Sequence, residues 1–73
     1  MEIKLEKRGH RALLNSNFYR DSYWVSLASW NKLQYATFDA KVEKFDKKRD
    51  CDTFTRKVSN LLQSNGYKIV NNF

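Results

Sequence analysis

The chain has 73 residues, 14 of them Lys or Arg against 8 Asp or Glu, for a net charge of +6; that length supports one hydrophobic core, so residues 1–73 are expected to form a single domain. Apolar residues at 41%, charged residues at 30% and aromatic residues at 15% fall in the globular range and exclude collagen, mucin-like stalks and a fully disordered tail. No run approaches the roughly 18 apolar residues of a membrane span and MEIKLEKRGH lacks the apolar stretch of a signal peptide, so a cytoplasmic chain with no membrane partner is expected, in keeping with a lone Cys51.

At the N-terminus Ile3 and Leu5 alternate with charged neighbours, and Arg8 with Gly9 turns the chain back through His10 to Leu14 in a first hairpin. Asn15, Ser16 and Asn17 read as a polar turn. From Tyr23 to Ser29, Tyr23, Val25 and Leu27 fit a strand, whereas Trp24, Leu27, Ala28 and Asn31 only partly fit a helix begun at Asp21. The strand is preferred, with Trp30, Asn31 and Lys32 turning into the next one. There Ala36, Phe38, Ala40 and Val42 alternate with Tyr35, Thr37, Asp39, Lys41 and Glu43, the period of a half-buried strand.

From Asp52 to Asn65 the pattern changes to that of a helix, with Phe54, Val58, Leu61 and Leu62 on one stripe and Asp52 as N-cap. Gly66 supplies the residue tolerant of positive φ that ends it, and Tyr67 to Val70 reads as a short strand. The expected fold is α+β: a small antiparallel sheet, one C-terminal amphipathic helix packed on one face, and a short terminal strand. One helix covers one side of a sheet, which leaves the other for water, a partner or a second copy of the chain, so a homodimer is among the expected states.

Catalysis is discounted. The chain holds one histidine, His10, and one cysteine, and lacks a glycine-rich phosphate loop and any Cys-x-x-Cys or His-x-x-x-His pair; no catalytic residue, metal or cofactor is expected. Cys51 reads as a small apolar filler just before the helix; of Asp46, Asp50 and Asp52, Asp52 serves as the cap, and the lysines between them read as a solvated loop.

Basic residues are the larger signal. Lys4, Lys7, Arg8 and Arg11 crowd the N-terminus, and Lys41, Lys44, Lys47, Lys48, Arg49, Arg56 and Lys57 form a second group interrupted by Glu43, Asp46, Asp50 and Asp52. Lys47, Lys48 and Arg49 directly precede the predicted helix, whose free N–H groups and dipole favour a phosphate; the competing reading has Asp50 and Asp52 already filling that helix start.

If Tyr23, Val25 and Leu27 face the helix with Ala36, Phe38, Ala40 and Val42, strand parity sends Trp24, Ser26, Ala28 and Trp30 to the opposite face, near Tyr35 and Lys41. Trp, Tyr and Lys on one sheet face stack bases and neutralise phosphates. The alternatives are that the N-terminal hairpin covers Trp24 and Trp30, or that they anchor a protein interface.

A few antiparallel strands and then a helix after a basic turn, in the segment KKRDCDTFTRKVSNLL, resemble in architecture the small arm-binding domains of tyrosine recombinases. That resemblance implies DNA reading by the sheet and carries over no individual functional residue.

The expected function is therefore a non-catalytic, basic nucleic-acid-binding protein. Lys41, Lys47, Lys48, Arg49, Arg56 and Lys57 would contact phosphates, and Trp24, Trp30 and Tyr35 would supply stacking. DNA and RNA stay equally open, since no RNP motif, KH loop or zinc-finger spacing occurs. The alternative is a small inhibitor or adaptor, of the kind encoded by phages and mobile elements, that occupies a partner protein's surface.

Overall fold

The computed structural model describes residues 1–31 and 34–73, and for residues 34–40 it describes the backbone. Five strands and one helix follow in the order β1 (Glu2–Lys7), β2 (His10–Tyr19), β3 (Ser22–Asn31), β4 (Gln34–Phe45), α1 (Lys48–Ser64) and β5 (Lys68–Val70). The strands form one antiparallel sheet in the spatial order β4-β3-β2-β1-β5, and α1 packs on one of its faces. The expected α+β fold is the one observed.

The first hairpin closes where the sequence predicts it. Gly9, at φ 77°, turns the chain with Arg8 and sets Lys7 opposite His10. Register then places Leu5 opposite Ala12 and Leu14 opposite Leu27, so the alternate apolar residues of three strands meet on one face. Leu5, Ala12, Leu14, Val25 and Cys51 are the buried apolar core, each at most 2% exposed.

The polar run Asn15–Ser16–Asn17 does not turn. It lies inside β2, where Ser16 is buried on the helix side and pairs its backbone with Met1: the Ser16 N–H donates to the Met1 carbonyl at 2.8 Å and the Met1 amino group donates to the Ser16 carbonyl at 2.6 Å. Asn15 and Asn17 point to the other face, where a polar residue is no obstacle to a strand. The chain reverses instead at Arg20 and Asp21, whose φ angles of 50° and 60° make a tight two-residue hairpin between Tyr19 and Ser22. Of the turn expected at Trp30, Asn31 and Lys32, Trp30 and Asn31 instead end β3, paired with Phe38 and Gln34 of β4, and Lys32 lies outside the described residues.

The facing of β4 is the reverse of the expected one. Val25 pairs with Glu43 and Leu27 with Lys41, so Lys41, Glu43 and Phe45 lie on the helix side of the sheet, while Val42, opposite Ser26, is 60% exposed on the open side. By register Ala40 lies opposite Ala28 and Phe38 opposite Trp30; the side chains of Ala36, Phe38 and Ala40 lie outside the described residues. Alternation fixes which residues share a face, but which face that is depends on register, and a register shift at Trp30 and Asn31 intervenes.

The helix begins four residues before the predicted start. Lys47 is the N-cap residue without a side-chain cap bond, and Asp52 lies within the helix, accepting from Lys48 Nζ at 2.7 Å across one turn. Its inner face is made of small residues: Cys51, Thr55 and Ser59 are buried at a spacing of four, flanked by half-buried Phe54, Val58 and Leu62. Leu61, expected on the stripe, is 55% exposed. At the C-terminus Gly66, at φ 95°, donates to the Gln63 carbonyl and Tyr67 donates to that of Leu62, the paired bonds of a Schellman cap.

Candidate nucleic-acid interface

Helix α1 leaves one sheet face open, and register lists what stands on it. On β3 the outward positions are Trp24, Ser26, Ala28 and Trp30, as strand parity predicts; Asn17, Asn15, Leu13 and Arg11 of β2 lie opposite them. Lys44 of β4 is opposite Trp24, and Lys4 and Glu6 of β1 are opposite Leu13 and Arg11. Lys68 and Val70 of β5 extend this surface past β1.

Two aromatic stations result, six residues apart on β3 and so separated by about 20 Å. At the first, the Trp24 indole N–H donates to the Tyr19 carbonyl at 3.0 Å, which fixes the ring at the hairpin end, and Lys44 Nζ stands 5.9 Å from the ring centre. At the second, Trp30 meets the C-terminal Phe73 edge to face at 5.4 Å, and the Arg11 guanidinium lies 5.0 Å from the Phe73 ring centre. Both tryptophans are half-buried. Small residues, Ser26 and Ala28, separate them.

The cations on this face differ in how far they are neutralised. Arg11 Nε donates to Glu6 at 3.2 Å and Lys4 lies 3.8 Å from Glu2. Lys44 and Lys68 form no salt bridge among the described residues.

The basic residues chosen from sequence lie elsewhere. Lys41 is on the helix side, not beside the tryptophans, on the rim of a groove of about 130 Å³ between β4 and α1. Lys47, Lys48 and Arg49 do gather at the start of α1, but Lys48 is held by Asp52 and Arg49 lies 3.8 Å from Asp50. The hydrogen bond and charge of Asp52 raise the Lys48 pKa above its ordinary value. Arg56 and Lys57 are exposed on the outer surface of α1 together with Asn60 and Leu61. The expected composite of basic turn and aromatic sheet is thus two surfaces on opposite sides of the molecule. The side chain of Tyr35 lies outside the described residues.

Arg11, Lys4, Lys44 and Lys68 complete the open face and lie beyond the candidates that the sequence points to. Parity placed Lys4 opposite Ile3 and Leu5 in facing and carried the signal for it; Lys44 was hidden by the inverted facing of β4. Phe73 had no sequence signal, because its contact with Trp30 spans most of the chain.

Cys51, expected just before the helix, lies within α1 and is buried on its inner face, and His10 is exposed at the first hairpin. Among the described residues no His, Cys, Asp and Glu cluster is arranged to hold a metal, and no helix is long and apolar enough to cross a membrane. Compared with protein-family models, curated proteins and solved structures, the chain matches none.

Proposed function

We propose that this protein binds nucleic acid, without catalysis, through the open face of its sheet. The observation that carries the reading is two aromatic stations on that face, each with a cation at one of its rings, Lys44 at Trp24 and Arg11 at the Phe73 ring that packs on Trp30. An open sheet face with two aromatic stations and Lys4, Lys44 and Lys68 around them suits a single strand, whose bases stack while its phosphates meet the lysines. Chain charge of +6 supports the same reading by favouring encounter with any polyanion. A cytoplasmic setting goes with it, since the free Cys51 needs no oxidising compartment.

The direct phosphate contacts then lie on the open face and not at the start of α1. Lys47, Lys48 and Arg49 would contribute through the general field, with Arg56 and Lys57, while Lys44 and Lys68 would make direct contacts. The test is binding of labelled single-stranded and duplex oligonucleotides of random sequence across a salt series. Charge reversal at Lys44 and Lys68 should flatten the salt slope by up to about two phosphate equivalents. Trp24→Ala should weaken single-strand binding by about 1–3 kcal/mol with little change in slope. Loss of binding on reversing Lys47, Lys48 and Arg49, with Lys44 and Lys68 silent, would move the site to the helix start.

One observation favours the second reading, a protein-binding inhibitor or adaptor. Phe18 and Tyr19, each 59% exposed, crown the β2–β3 hairpin, with the Phe18 ring 4.8 Å from that of Tyr23. Aromatic residues of this kind anchor protein interfaces. Retention of one partner protein from nuclease-treated extract, lost on Phe18→Ser, would establish it.

A further inference from the structure

The sheet ends on one side in β5, three residues long, and on the other in β4, twelve residues long and paired on its inner side only. A long unpaired edge is a template for another strand, and natural proteins protect such edges with short strands, bulges or charges that forbid pairing. This edge carries charges of opposite sign. Lys41 and Glu43 stand two positions apart on the same face, with Val42 between them on the other, and all three are exposed. Neither charge is in a salt bridge among the described residues.

We propose that β4 pairs antiparallel with β4 of a second copy, about a twofold axis through Val42, to give a continuous ten-stranded sheet. In that register Lys41 faces Glu43 of the second copy and Glu43 faces its Lys41, so one residue pair makes two ion pairs by symmetry. The two neighbouring registers that keep both helices on one side set Lys41 on Lys41 or Glu43 on Glu43. Both are repulsive, so the charge order selects one alignment. Alongside, the 130 Å³ groove lined by Leu27, Phe54 and Val58 gives the stems of Lys41 and Glu43 apolar surface to lie on. On the open side Val42 meets its own copy, which covers a valine that is 60% exposed in the single chain. This pairing does not depend on nucleic acid.

A single strand-to-strand contact lies at the small end of specific interfaces, below about 1,200 Å², so the dimer should dissociate on dilution. Sedimentation of the full chain without nucleic acid, over a wide concentration range at low salt, should show monomer passing to dimer. K41E and E43K should each weaken the dimer by about tenfold or more, through two new repulsive pairs, and the double variant K41E/E43K should restore it. Val42→Cys should form an interchain disulfide under mild oxidation, since facing strand residues lie about 4.5–5.5 Å apart at Cα, whereas the parent, with buried Cys51, should not. A chain monomeric at every concentration overturns the proposal, and so does a double variant no better associated than the single ones. Association with no Val42→Cys crosslink overturns the alignment.

Discussion

Arg20 and Asp21 hold positive φ without being glycine. For an L-residue the left-handed region costs about 1–2 kcal/mol, less for Asp than for Arg. The flanking strands fix this reversal because Tyr19 and Ser22 are already paired and the register from His10 onward leaves two residues for the turn. Replacing Arg20–Asp21 by Asn-Gly should therefore raise the urea midpoint, by about 1 kcal/mol or more in stability, with the fold unchanged. The same residues explain why the reversal was not legible: Asn15, Ser16 and Asn17 carry stronger turn chemistry, and strand pairing overrode it. Asp52 gives a second residue-scale prediction. It partners Lys48 on an exposed turn and caps nothing, so Asp52→Ala should leave the denaturation midpoint close to that of the parent. The Lys48 pKa is raised by Asp52, so this pair's contribution is fully present below the ordinary lysine value and is lost as pH rises through the raised one. Around neutral pH the pair should therefore add no pH dependence to stability.

At the scale of the helix, what packs on the sheet is a row of small residues bordered by larger ones. Thr55 is fully buried and its hydroxyl donates to the Cys51 carbonyl at 2.8 Å, so it adds a buried side chain without an unpaired polar atom. The apolar period in the sequence located the helix and found Phe54, Val58 and Leu62, which border the contact. It missed the centre, because Cys51, Thr55 and Ser59 are not conspicuously apolar and close approach depends on size. Leu61 was assigned to the stripe from its spacing, yet it sits on the outer side of the helix beside Lys57. Ser59→Leu should consequently cost about 1–3 kcal/mol by overpacking, although it adds apolar surface, whereas Leu61→Ser should stay within about 0.5 kcal/mol of the parent. Equal midpoints for the two variants would contradict this helix facing. Leu5→Ala, at a side chain with no exposure in the centre of β1, sets the scale of a true core loss at about 2–5 kcal/mol.

Across the whole molecule, the C-terminus is joined to the open face by a contact that no local pattern announces. After β5 the chain brings Phe73 to Trp30 of β3, which β1 and β2 separate from β5 in the sheet. Arg11, held by Glu6 at 3.2 Å, lies over the same ring. This arrangement orients Trp30 and removes part of its surface from water, at the end of the face where single-strand stacking is proposed. The fold class, the helix and the outward facing of Trp24 and Trp30 were legible because each follows from period or parity within one segment. The tail contact and the facing of β4 were not, since each depends on which distant segment lies alongside. Phe73→Ala tests the tail without touching the sheet. It should cost about 0.5–1.5 kcal/mol beyond the small area lost, from the edge-to-face pair, and shift the indole emission to longer wavelength as Trp30 becomes more solvated. If bases stack on Trp30, the same variant should also strengthen single-strand binding, because the ring that occupies its edge is gone, and Trp30→Ala introduced into it should abolish the gain. Trp24, fixed independently by the Tyr19 carbonyl at the far end of β3, should contribute equally in both backgrounds, because the two stations share no partner and distant sites act additively. An unchanged affinity with a red-shifted indole would leave Trp30 structural and place the stacking at Trp24 alone.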